Sequence, residues 1–177
     1  MKKIISVILS ACIIGTLAGC SIYTIATKEE AKSRNQSDPS KLQVVVSFNP
    51  LKEFVQAIGK DKIEVKTVIP EGVEPHDFEP KIKDMENISN AKVFVYNGFG
   101  MESWVDKTLS AIDNKNLVVV DTSKGVDAIK NQGEKIQEYG QFDPHIWLSL
   151  RDAKIQTKNI KDALIVADEK NKDFYYL

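Results

Sequence analysis

The chain repeats one pattern: a short apolar run, a helix-period stretch, then another apolar run. Val44, Val45, Val46 and Phe48 make the first run, a buried-strand signal. After Asn49-Pro50, Leu51, Phe54, Val55 and Ile58 fall at i, i+3, i+4 and i+7, one face of a helix that Gly59 can end. Ile63, Val65, Thr67 and Ile69 alternate as a second strand closed by Pro70. Ile82, Met85 and Ser89 predict a helix, Val93–Tyr96 a third strand ended by Asn97-Gly98, Val105, Leu109 and Ile112 a further helix, and Leu117–Val120 a fourth strand. Residues 123–141 are polar and weakly patterned, so an irregular excursion with one helical turn is expected. Residues 151–167 predict a helix with Ile155, Ile160, Ala163, Leu164 and Ala167 turned inward. Apolar strands alternating with helices specify an α/β fold, a parallel four-stranded sheet with flanking helices on both faces.

The N-terminus reads as an export address. Lys2 and Lys3 precede an apolar or small stretch from Ile4 to Leu17, which is too short to span a membrane comfortably and suits a signal-peptide core. Leu17-Ala18-Gly19-Cys20 resembles the bacterial lipobox, in which cleavage precedes the cysteine and the cysteine carries lipid. The other cysteine, Cys12, lies in the expected leader, so the expected folded part holds no thiol for a disulfide, a nucleophile or a metal. Residues 21–41 are mostly polar and read as a flexible tether with a reach of roughly 25 Å. A solvated helix over Ile25–Ser33 is the alternative and leaves that role unchanged. Removing 19 residues from 177 leaves 158, enough for one domain with a sizeable core. Loss of Lys2 and Lys3 from 24 basic residues leaves 22 against 25 acidic ones. No basic patch points to nucleic acid.

The chain has only two histidines, and each lies in a loop beside a proline and near carboxylates. His76 sits in Glu74-Pro75-His76-Asp77-Phe78-Glu79-Pro80, and His145 in Phe142-Asp143-Pro144-His145-Ile146-Trp147. Ligands of open parallel sheets bind beyond the carboxyl ends of the strands, and His76 follows a strand by a few residues. Proline stiffens each loop. Imidazole is a ready ligand for divalent first-row metals, and two imidazoles are half of a tetrahedral shell. Asp77 and Asp143 are candidates to orient a ring through its second nitrogen. The spacing of the two histidines does not distinguish this pair from two unrelated loop histidines, and no H-E-x-x-H or cysteine cluster is present.

Several blocks, in order, resemble a known family. They are Val45-Val46-Ser47-Phe48-Asn49-Pro50-Leu51, then Val68–Pro80 around His76, then Asn90-Ala91, then Val95-Tyr96-Asn97-Gly98 with Glu102 and Trp104, and finally Asp143-Pro144-His145-Ile146-Trp147-Leu148. From about Gln43 onward the chain is similar to the cluster A-1 solute-binding lipoproteins of zinc and manganese ABC importers, the ZnuA/TroA/PsaA-like or adhesin-lipoprotein family. The resemblance implies two α/β lobes joined by a long helix, with metal clamped between them. His76 and His145 match the two histidines of the first lobe. The remaining ligands, a His or Glu and an Asp, would come from a second lobe that this sequence does not contain. The sequence stops at Phe174-Tyr175-Tyr176-Leu177, where the linking helix would begin. The expected division is a signal peptide over 1–19, lipidated Cys20 and tether over 20–41, an N-terminal metal-binding lobe over 42–170, and the start of the linking helix over 171–177. A fragment is the expectation, with weak and poorly selective metal binding.

The function implied is capture of zinc or manganese at the outer face of the cell membrane and delivery to an ABC permease, by a monomer anchored through Cys20. Residues 123–141 lack the histidines of the His-rich loop that many zinc-type members carry, which leans the expectation away from a zinc scavenger. Two other readings stand beside it. One is a surface adhesin, for which no receptor-binding feature is visible. The other is a metalloenzyme with Glu74 or Glu79 as base, for which no motif ties either carboxylate to a metal-bound water. There is no G-x-S-x-G and no Gly-rich phosphate loop.

Overall fold

A computed structural model describes residues 38–176. The expected leader, Cys20 and most of the expected tether lie outside the described residues. The strands are β1 (Leu42–Val46), β2 (Ile63–Thr67), β3 (Val93–Tyr96) and β4 (Val118–Asp121). The helices are α1 (Asn49–Gly59), α2 (Ile82–Ser89), α3 (Val105–Ala111), α4 (Lys135–Tyr139), α5 (Leu150–Ala167) and α6 (Lys172–Tyr175), with a 3₁₀ turn at Ile146–Leu148.

The four strands form one parallel sheet in the order β2-β1-β3-β4, as the apolar runs predict. Val44 pairs with Val65 on one side and Val93 on the other, so β1 is central. The chain winds outward from β1 to β2, then returns past β1 to β3 and β4. Right-handed crossovers then require α1 on one face and α2 and α3 on the other. α1 and α5 pack against each other. With both faces covered, Val93, Phe94 and Val95 are fully buried, and so are Val46, Leu51 and Val55. Each such side chain contributes roughly 1.5–3 kcal/mol by leaving water. Winding in two directions from the centre makes the β1/β3 boundary a topological switch point, where α/β proteins place ligands.

The helix faces differ from the sequence pattern in two places. In α2, Ile82 is exposed and Ile88 is the fully buried residue. Ile82 opens its helix, ahead of the turn that meets the sheet. In α5, Ile160 and Leu164 point inward as expected, but they are joined by Gln156, which is fully buried. Ser149 caps this helix by accepting the Asp152 N–H at 3.3 Å. The single turn expected within residues 123–141 is α4.

Candidate metal site

The two histidines meet beyond the carboxyl ends of β1 and β3. Their ring centroids are 5.9 Å apart and the rings are edge-on, at 64°. Two imidazoles sharing a tetrahedral ion, with nitrogens about 2.0–2.1 Å from it, put their centroids roughly 5–6 Å apart. The separation is compatible with a shared ion. His145 also lies 5.3 Å from Trp147, which meets Phe48 edge-on at 4.8 Å. A row of rings thus runs from the histidine pair to the end of β1. Among the described residues, no group of three or more His, Cys, Asp or Glu side chains could hold a metal ion.

Asp143 orients His145. Its Oδ1 accepts the backbone N–H of His145 at 3.0 Å and faces Nδ1 of the ring at 2.7 Å. The backbone N–H of His145, and then its ring, hold the Asp143 carboxyl below the ordinary carboxylate value. An ionised carboxylate only accepts, so Nδ1 is the donor in this contact. Asp143 thus contacts one of the two ring nitrogens of His145. Asp77 is placed differently: it is exposed, and Glu74 reaches the His76 backbone instead, with Oε1 accepting its N–H at 3.4 Å. Pro75 turns the chain so that the next carboxylate along points to solvent. His76 is half-buried, with its Nε2 closed off from solvent.

Beneath the histidines lies a polar cluster. Glu102 is 6% exposed and sits across the switch point. Its Oε1 accepts Ser47 Oγ–H at 2.6 Å and the Asn97 N–H at 2.8 Å, while Oε2 accepts the Gly98 N–H at 3.2 Å. Ser47 follows β1 and Asn97 follows β3, so one carboxylate joins the two strand ends. Burial pushes the Glu102 carboxyl up, against the downward pull of these donors. Gly98 makes the turn possible. Its φ is +92°, and a Cβ there would collide with the side chains of Asp121 and Ser123.

Asn97 continues the cluster to the His145 loop. Its Nδ2 donates to the Pro144 carbonyl at 2.8 Å, and its Oδ1 accepts from Gln156 Nε2 at 3.1 Å. Gln156 Nε2 also donates to Thr122 Oγ1 at 2.8 Å, and Thr122 Oγ1 donates to the Asn97 carbonyl at 3.1 Å. The buried Gln156 Oε1 receives no hydrogen bond, a cost of about 1–3 kcal/mol. Sequence reasoning passed over Gln156 and Thr122, and gave Asn97 and Glu102 no role. The only available signal was polar residues falling on strand ends and on an inward helix face. A cavity of about 290 Å³ flanks His145 and is lined by Ile129, Asp143, Leu148, Ser149 and Asp152. A larger groove of about 400 Å³, among Lys60, Lys154, Lys158 and Phe174, includes neither histidine.

Known proteins carry the same arrangement of sequence. The chain is 37% identical over 168 residues to the high-affinity zinc uptake system protein ZnuA of Bacillus subtilis, covering 90% of this chain and 53% of that protein. It is 36% identical over 182 residues to the manganese ABC transporter substrate-binding lipoprotein PsaA of Streptococcus pneumoniae, covering 99% of this chain and 55% of that one. The crystal structure of the metal-dependent lipoprotein YcdH from Bacillus subtilis superposes with a TM-score of 0.69 at 40% identity, over 77% of this chain and 48% of that chain. The chain therefore spans about half the length of the curated relatives it matches. The four-stranded parallel sheet and its helices match the N-terminal lobe of such proteins. The family described as the periplasmic zinc-uptake complex component A matches residues 44–176, and the chain belongs to that family, ZnuA.

Proposed function

We infer that this chain is the first lobe of an extracytoplasmic binding lipoprotein that captures a divalent transition metal, zinc or manganese, and passes it to an ABC permease. His76 and His145 are its two imidazole ligands, and Asp143 orients the His145 ring. The observation that carries this reading is the convergence of the chain's only two histidines from separate loops to 5.9 Å between ring centroids. The relatives bearing zinc-uptake and manganese-transport names support the cargo class. Cys20 is the lipid attachment point, and the tether after it keeps a monomeric lobe at the outer face of the membrane, within reach of a permease. The metal is cargo, and the reading of the lobe as a binding protein is supported by relatives named as a zinc uptake system protein and a substrate-binding lipoprotein.

Isothermal titration with zinc and with manganese tests the reading. A half-shell of two imidazoles binds zinc weakly and discriminates poorly. Proton and metal compete for the same lone pairs, so affinity falls as pH is lowered. The double variant His76→Ala, His145→Ala is expected to show no specific heat. Unchanged affinity in that variant would sink the assignment.

A further inference from the structure

The peptide plane between Pro144 and His145 is gripped on both edges. Its carbonyl oxygen accepts from Asn97 Nδ2 at 2.8 Å, and its N–H donates to Asp143 Oδ1 at 3.0 Å. A peptide unit is rigid and planar, and proline fixes the φ that precedes it. Clamping both edges therefore sets the direction in which His145 leaves the backbone. Asp143 lies within the same loop and moves with it. Asn97 does not: it stands at the end of β3, at the switch point, and ties the loop to the sheet.

Asn97 is itself held on every polar group. Its backbone N–H is on Glu102, its carbonyl receives Thr122, its Oδ1 receives Gln156, and Nδ2 is shared between Pro144 and Gly98 carbonyls, the second at 3.2 Å. The buried amide of Gln156 uses its nitrogen on Asn97 and Thr122 and leaves its own oxygen without a donor. A cluster assembled only for stability has no need of that sacrifice. It is explained if the direction of the Asn97 amide is what the cluster maintains.

We propose that Asn97 is a positioning residue for metal capture, which aims the His145 imidazole through the Pro144 carbonyl without touching the ion. The proposal rests on His145 being a ligand. Asn97→Ala deletes the clamp. Asn97→Asp keeps the shape and the acceptor toward Gln156 but loses the donor to Pro144. Gln156→Met reaches the same bond one step back while conserving volume.

The test is zinc titration of the full chain, paired with long-range ¹H–¹⁵N spectra of the two imidazoles. Both Asn97 variants should weaken zinc binding about ten- to a hundredfold, with a smaller loss for Gln156→Met. The His145 ring signals should shift or broaden while those of His76 hold. Ile88→Ala, a core cavity on the far side of the sheet from α5, should lower the melting temperature and leave zinc affinity within twofold. Zinc affinity within twofold of wild type in Asn97→Asp and Gln156→Met, or equal disturbance of both imidazoles, overturns the proposal. Failure of the ligand reading looks different: His145→Ala would then bind zinc as well as the wild-type chain does.

Discussion

The two loops that carry the histidines are built in opposite ways. The His145 loop is fastened at the residue before the histidine, by Asn97 on the Pro144 carbonyl, and at Asp143, whose N–H donates to the Ile129 carbonyl at 2.8 Å. Pro144 and Ile146, on either side of His145, are buried. The His76 loop joins the sheet edge at Ile69, whose N–H donates to the Ser47 carbonyl, seven residues before its histidine. From there it runs through local turns, Val73 to Pro70 and Phe78 to Pro75, with Glu71, Glu74, Asp77 and Glu79 exposed. Phe78, edge-on to Trp104, is its inward contact. Segments with few buried contacts and exposed turn bonds open at lower free energy than packed ones. The His145 imidazole thus sits on a loop tied to the sheet by a side chain, and the His76 imidazole on a loop built from local turns.

Breaking the tied loop at its root should have the largest effect. Gly98→Ala puts a Cβ into Asp121 and Ser123 at a positive φ, and should destabilise the lobe by about 2 kcal/mol or more. Thermal unfolding should show a midpoint roughly 5–10 °C lower; a midpoint within a degree of wild type would contradict the packing described.

The asymmetry between arms is sharpened by a matched pair. Asp143→Asn keeps the shape but weakens the hold on His145 Nδ1, and should lower zinc affinity about tenfold. Asp77→Asn, at an exposed position on the other arm, should change it less than twofold. Competition against a metallochromic dye measures both, and equal losses would erase the distinction.

The gentlest effect belongs to Glu102, which lies under both arms. It reaches the His145 loop through Asn97 and the base of the His76 loop through Ser47. Its carboxyl is raised by burial above the ordinary value of 4.5. The protonated form is then favoured by folding. That contribution to stability is full below the unfolded-chain value and is lost as pH rises through the folded-state value. Urea midpoints taken from pH 4.5 upward should therefore decline more steeply in the wild-type chain than in Glu102→Gln. Parallel slopes would remove Glu102 as the source.

Much of this architecture was legible in the residues. β-branched runs such as Val44–Val46 announce buried strands because few other environments accept them, and the Leu51–Val55 face announces its helix. The histidine pair was legible by residue type and by resemblance. The contact of Asp143 with the His145 ring was legible because the two lie two residues apart, and a contact that local needs no fold to create it. Asp77 looked equivalent, and a single turn at Pro75 sends it to solvent. The spacing of Ile82, Met85 and Ser89 announced α2, but that Ile88 is its buried residue was not legible.

What the sequence alone determined, then, is the list of elements, their parallel arrangement and which two side chains are imidazoles. These follow from local periodicity and donor chemistry. What only the tertiary structure decided is that the two imidazoles meet, and that Ser47, Asn97, Glu102, Thr122 and Gln156 assemble beneath them. Sixty-nine positions of chain separate the histidines, and 59 separate Asn97 from Gln156. Polar residues carry no periodic signal of burial. Their partners are set by strand order and by the reversal of winding at the β1/β3 boundary, which exist only once the sheet has formed.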